Sequence, residues 1–248
     1  IVTSISMFYD LEEPVKFAQE VASILDVEGV WVFEQSYLPA MLRQNSYDTI
    51  CHEHLEYYSL NAIEYIMKQA GLTIIDASQN EVNGGSIRLA AVRLDSPSSS
   101  NVSPEAISLM EQEKNHNIHS IATFRSFQEN AERQKTDLIK LLHELKKAGK
   151  TVVGYGASTK GNVILQYCGI STDLLSCIGD ITPFKDGTYT PGTKIPIVSM
   201  EKAKAMKPDY FLVLPWGFRN DILLREKEGV LNQGSKMIFP LPFVEIVS

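Results

Sequence analysis

At 248 residues, with 44% hydrophobic and 21% charged residues, the chain holds enough material for one large domain or two ordinary ones, each with its own core. The formal net charge of −7 and a pI near 5.3 argue against nucleic acid or an anionic membrane as the main partner, but leave room for local basic sites that take a phosphorylated small molecule. Three widely spaced cysteines, Cys51, Cys168 and Cys177, form no CxxC and suit free thiols in a reducing, cytoplasmic setting, and no apolar run approaches the length of a membrane span.

Ile1 to Phe8 reads as a buried strand already under way, so the chain is expected to lack an N-terminal part and to leave a sheet edge unpaired. Glu13 to Leu25 follows as a helix, with Pro14 in its first turn and Phe17, Val21, Ile24 and Leu25 on one face. Val30 to Phe33 is a buried strand ending at Glu34 and Gln35. Asn61 to Gln69 is a helix stopped by Gly71, and Leu72 to Ala77 with Ser86 to Arg93 reads as an antiparallel pair around Asn80 to Gly85. Asp95 to Pro104, rich in Ser and Pro, is the clearest linker. Pro104 to Ala148 then carries an apolar stripe at helical spacing and is expected as a bridging helix or helix pair, with His116, His119 and His143 as solvated or packing residues. The remainder alternates: strands at 151–155, 175–178, 195–198, 210–214 and 236–239, and helices at 163–167, 200–205 and 219–227. That alternation predicts a mostly parallel sheet with helices on both faces.

The densest chemistry lies between Tyr47 and Ser59, where two histidines, three carboxylates, a cysteine and three tyrosines share thirteen positions. Such a mixture suits a pocket wall, where a histidine beside a carboxylate can move a proton near neutral pH. The competing reading is a structural polar cluster at a strand-to-helix junction. His52 and His54, two apart on extended chain, could face one ion, but the H-E-x-x-H pattern fails at Glu56, so no metal is expected.

A second motif, Gly154 to Gly161, sits where a strand turns into a helix, and there backbone amides and the helix dipole favour a phosphate, with Lys160 adding a charge. It is neither a P-loop nor the G-x-G-x-x-G fingerprint, and a glycine turn used for packing remains the alternative. Leu214 to Asn220 lies at another strand end, so Trp216 could stack on a base and Arg219 meet a phosphate; equally, Trp216 could be a core plug.

Taken together, Tyr47 to His54 with Tyr57-Tyr58-Ser59, then Asn83 to Arg88, then Gly154 to Asn162, resemble the branched-sugar C-methyltransferases. The resemblance implies an α/β fold: a partial class I methyltransferase (Rossmann-like) domain over 1–95, a linker and bridging helices over 96–148, and a second Rossmann-like three-layer α/β/α domain over 149–248. The family's zinc-binding module and first methyltransferase strand are not read here, and Ile1–Phe8 and Val30–Phe33 map onto the fourth and fifth strands. The implied chemistry is transfer of a methyl group from S-adenosylmethionine to C3 of a nucleotide-linked 4-keto-deoxysugar, and the chain alone is expected to bind that cofactor poorly. By resemblance His54 matches the general base and Glu53 its neighbouring carboxylate. Cys51 stands where the family pattern carries Tyr, and Tyr9 where members often carry a pocket His. Asn83, Gly84 and Ser86 are expected to close on the sugar, and Tyr155, Gly156, Ser158, Lys160, Asn162, Trp216 and Arg219 to hold the nucleotide diphosphate. The implied partner is a nucleotide-diphosphate sugar, with no nucleic acid and no membrane. Two alternatives stand: an oxidoreductase using a dinucleotide or NDP-sugar, for which Asp180 is the nearest candidate ribose acceptor, and a non-catalytic nucleotide-sugar-binding protein.

Overall fold

The computed structural model describes residues 1–248, except for the side chain of Asn83. In chain order the elements are β1 (Val2–Ile5), α1 (Pro14–Ile24), β2 (Trp31–Ser36), α2 (Leu38–Arg43), α3 (Leu60–Gln69), β3 (Leu72–Asn80), β4 (Ser86–Arg93), α4 (Pro104–Asn115) and α5 (Ile121–Lys147). They continue with β5 (Val152–Tyr155), α6 (Thr159–Cys168), β6 (Ile178–Asp180), β7 (Ile197–Ser199), α7 (Met200–Ala205), β8 (Tyr210–Val213), α8 (Arg219–Glu226), β9 (Lys236–Phe239) and β10 (Glu245–Val247). Two units emerge: Ile1–Gln44 with His52–Arg125, and Asn45–Cys51 with Ser126–Ser248. No helix among the described residues is long and apolar enough to cross a membrane.

The first unit is built on a four-stranded sheet in the order β1-β2-β4-β3. β1 and β2 pair in parallel, with Val2 opposite Trp31, and β4 runs antiparallel to both β2 and β3. β1 is shorter than the expected Ile1–Phe8 because Ser6 adopts φ 53° and turns the chain. A left-handed Ser lacks the ease of glycine. The turn carries Phe8 into the core against Trp31 and Phe33. Ser59 caps α3 by accepting from the Ala62 amide, and Ser103 caps α4 by accepting from Ala106.

A buried carboxylate ties together parts of this unit that are far apart in sequence. Glu113, on α4 and 2% exposed, accepts from Tyr37 Oη at 2.8 Å, from the Leu60 amide at 2.6 Å, and from the Asn61 amide and side chain at 3.0 and 2.7 Å. A carboxylate at the amino end of α3 satisfies two of its first amides and complements its dipole. Burial first, then the Glu113 charge, pushes the Tyr37 phenol well above its usual value.

The second unit holds a six-stranded sheet, β10-β9-β8-β5-β6-β7, parallel except for β10. Counting strands within this unit gives the order 3-2-1-4-5-6, that of a doubly wound dinucleotide-binding fold. β5 is buried at every position, as a parallel strand covered on both faces must be. β6 begins later than the 175–178 reading and takes in Gly179 and Asp180. Gly179 stays in the strand because its missing side chain admits α7: a Cβ there would lie 2.6 Å from Ala203 Cβ. Ser158 caps α6 by accepting from the Gly161 amide at 3.0 Å, and left-handed Gly169 ends it.

Candidate functional site

In the first unit, the turn after β1 delivers Tyr9, buried, against the ring of His54 at 4.4 Å between centroids. The amides of Leu55 and Glu56 both donate to the Tyr9 carbonyl, at 3.0 and 3.1 Å, and Tyr57 Oη donates to the His54 carbonyl at 3.4 Å. The segment from His54 to Tyr57 is thereby fixed before α3 begins. His54 is half-buried, while His52 and Glu53 are exposed. Asp10, the next residue after Tyr9, joins them: burial raises its carboxyl, and the His54 and Glu53 charges then act in opposite directions. An imidazole on an aromatic wall with carboxylates in electrostatic range is an arrangement able to accept and pass a proton.

The β3–β4 turn carries three more of the predicted residues. Gly84 and Gly85 take φ 85° and 116°, and Ser86 Oγ donates to the Val82 carbonyl at 2.9 Å. Gly85 packs on α2, where a Cβ would press into Ala40. The Asn83 side chain lies outside the described residues.

In the second unit, the Gly154 to Gly161 turn stands at the carboxyl end of β5 beside the end of β8, the switch point where such sheets take ligands. Gly156 has φ 79°, and a Cβ there would sit 2.8 Å from Pro215 Cδ. Gly156→Ala is therefore expected to cost about 2–3 kcal/mol in folding stability, read from the urea midpoint. An unchanged midpoint would mean the turn is not under this constraint. The Ala157 amide donates to Asp180 Oδ2 at 2.7 Å, and Lys185 Nζ reaches both the Ala157 carbonyl at 2.7 Å and Asp180 Oδ2 at 3.3 Å. Burial alone would raise the Asp180 carboxyl. The donors from Thr182 and Ala157 and the Lys185 charge outweigh it and hold the group below its usual value.

Tyr155, Gly156 and Ser158 line one cleft of about 170 Å³ with Asp180, Lys185 and Arg225. Tyr155 Oη accepts from Arg225 at 2.7 Å and donates to buried Glu226 at 2.7 Å. Burial is the first cause that pushes its pKa up to about 12. Lys160 and Trp216 have other company. Trp216, 6% exposed, donates its indole N–H to Asp48 Oδ2 at 2.7 Å. Half-buried Lys160 faces the charge of Asp48, with Cys51 a lesser influence; burial comes first in lowering its pKa. Arg219 stacks over Phe239, 4.4 Å to the centroid, and pairs with Glu245 at 3.0 Å. Asn162 is half-buried in the first turn of α6.

Asp48 is the residue that the motif contained and sequence reasoning left without a role. Burial pushes it up to about 6, against the pull of Lys160 and of the Trp216 N–H. A carboxyl raised in the folded state binds more protons folded than unfolded between the ordinary carboxylate range and about 6. Its stability contribution is present below that window and lost as pH rises through it. Asp48→Asn is accordingly expected to flatten this part of the melting-temperature profile between pH 4 and 7. A variant profile that parallels the wild type would rule out titration of Asp48 as its source. Arg225 and Lys185 also escaped notice, because only the sheet order brings α8 and the turn after β6 to one strand end.

The model of the C-methyltransferase C-terminal domain matches residues 81–242, well over half of the chain, and the chain belongs to this C-methyltransferase family. Among individual proteins it is 34% identical over 228 residues to C-methyltransferase NovU of Streptomyces niveus, covering 92% of this chain and 54% of that protein. The chain thus spans about half the length of the curated relative it matches.

Proposed function

We propose that this chain forms part of an S-adenosylmethionine-dependent enzyme that methylates C3 of a nucleotide-linked 4-keto-deoxysugar. The observation that carries the reading is the pairing of His54 with Tyr9, with Asp10 and Glu53 in electrostatic range, in a chain of this family. A proton on carbon beside a ketone is acidic enough for one base to remove. His54 takes that proton, and the carboxylates stabilise the imidazolium that results. The C4 oxygen then carries the enolate charge and C3 becomes the nucleophile. Parallel pairing of β1 with β2 supports their reading as neighbouring strands of a methyltransferase sheet.

S-adenosylmethionine supplies an electrophilic methyl group. The residues present in the first unit do not fit a full cradle for it. Its glycines, Gly29, Gly71, Gly84 and Gly85, serve a helix-to-strand connection, a helix end and the β3–β4 turn, and none lies at a strand-to-helix turn that could admit the cofactor's methionine end. The grip on the donor is accordingly not assigned to this chain.

In the second unit, Tyr155, Gly156 and Ser158 are read as contacts to the nucleotide diphosphate. The dinucleotide-oxidoreductase alternative loses ground here, because Asp180, at the position of a ribose acceptor, is engaged by Thr182, Ala157 and Lys185. The test is direct. Incubation of the enzyme of which this chain forms part with S-adenosylmethionine and a nucleotide-linked 4-keto-deoxysugar should give a product one methyl group heavier, with the methyl on C3 by NMR. Methylation on oxygen, or at another carbon, would reject the reading.

A further inference from the structure

The switch-point cleft has a composition that the sugar chemistry alone does not require. One wall is the turn after β6, where Ile181 lines the cleft at 70% exposure and Phe184, between the lining residues Thr182 and Lys185, is 81% exposed. Large apolar side chains held this far into solvent on a polar turn give up burial without return inside the chain. Arg225 lines the same cleft. Its guanidinium gives one N–H to Tyr155 Oη and lies 3.5 Å from Glu226 through Nε. Five N–H donors in a planar fork leave it with donors for a further acceptor. Ser158, cap of α6, lines it as well, so the positive end of a ten-residue helix faces the same space.

We infer that this cleft is the nucleoside end of the ligand site: Arg225 binds a phosphate of a nucleoside diphosphate, and the turn bearing Ile181 and Phe184 is the platform on which its base lies. The inference rests on the nucleotide-sugar reading above and assigns the base and phosphate contacts within it. Dimensions agree with a divided ligand. About 170 Å³ holds a phosphate and part of a ribose, and leaves a base to lie over the exposed turn.

Base stacking and phosphate pairing separate experimentally. Calorimetric titration of the full chain with uridine diphosphate, thymidine diphosphate and inorganic pyrophosphate is the measurement, with Phe184→Ser, Ile181→Ser and Arg225→Gln as variants. Phe184→Ser changes a solvent-exposed side chain and should leave the melting temperature in place. It is expected to weaken the better-bound nucleoside diphosphate roughly tenfold, the usual scale for loss of a stacking partner, and to leave pyrophosphate binding unchanged. Ile181→Ser should act in the same direction. Arg225→Gln should weaken both nucleotide and pyrophosphate by roughly tenfold or more. If the wild type binds a nucleoside diphosphate and Phe184→Ser and Ile181→Ser bind it equally well, the placement of the base is overturned while the nucleotide-sugar reading stands. If the wild type binds neither nucleoside diphosphate, the reading itself fails and this inference with it.

Discussion

In the enzyme of which this chain forms part, replacing His54 with alanine is expected to lower methyl transfer by roughly a hundredfold or more while nucleotide-sugar affinity stays near that of the wild type. The asymmetry follows from its place in the first unit. The imidazole packs on Tyr9 with Asp10 and Glu53 in electrostatic range, and the segment carrying it is held by backbone donors to the Tyr9 carbonyl, which alanine at 54 leaves intact. Loss of a base removes an interaction needed in the transition state, so kcat should fall and KM should change little. Turnover and calorimetric binding measured on the same preparation separate the outcomes. Equal loss of both would make His54 a structural residue.

The largest effect on stability is expected at Glu113. Its carboxylate satisfies donors from Tyr37, Leu60 and Asn61 in a buried setting. Glu113→Ala leaves those donors without an acceptor and opens a cavity, and breaking such a buried charged network costs about 3–5 kcal/mol. Glu113→Gln keeps the shape and one good acceptor, and should recover part of the loss. Chemical denaturation of the three proteins gives the comparison. A loss below about 1 kcal/mol for the alanine variant would mean that solvent or neighbouring groups replace the carboxylate.

Most of the element order was legible because its signals are local. Pro14 stands in the first turn of α1, Gly71 follows the end of α3, Pro104 opens α4, and the stretch from Asn80 to Gly85 turns β3 back into β4. The boundaries that moved did so for tertiary reasons. Ser6 leaves the strand region to seat Phe8, and Gly179 remains in a strand because α7 lies against it. Two elements were missed, α2 and β10, and both are too short to show periodicity. The candidate base was legible from composition, since histidine, carboxylate and tyrosine crowd one segment. Its support was not. Asp10 matters because a turn folds back on residue 54, Glu113 reaches α3 across 53 residues of chain, and Asp48 meets Trp216 across 168. No local pattern records such distances. For Lys160 and Trp216, residue type suggested ligand contacts, whereas the second unit gives each an internal partner in Asp48.

The central claim is that His54 removes the C3 proton, and that step can be observed apart from methyl transfer. The measurement is solvent-deuterium incorporation at C3 of a nucleotide-linked 4-keto-deoxysugar in heavy water, followed by proton NMR. The account predicts incorporation at C3 with the wild-type protein and, with His54→Ala, only the rate seen without protein. Equal incorporation by wild type and variant, or deuterium entering only at another carbon, would contradict it.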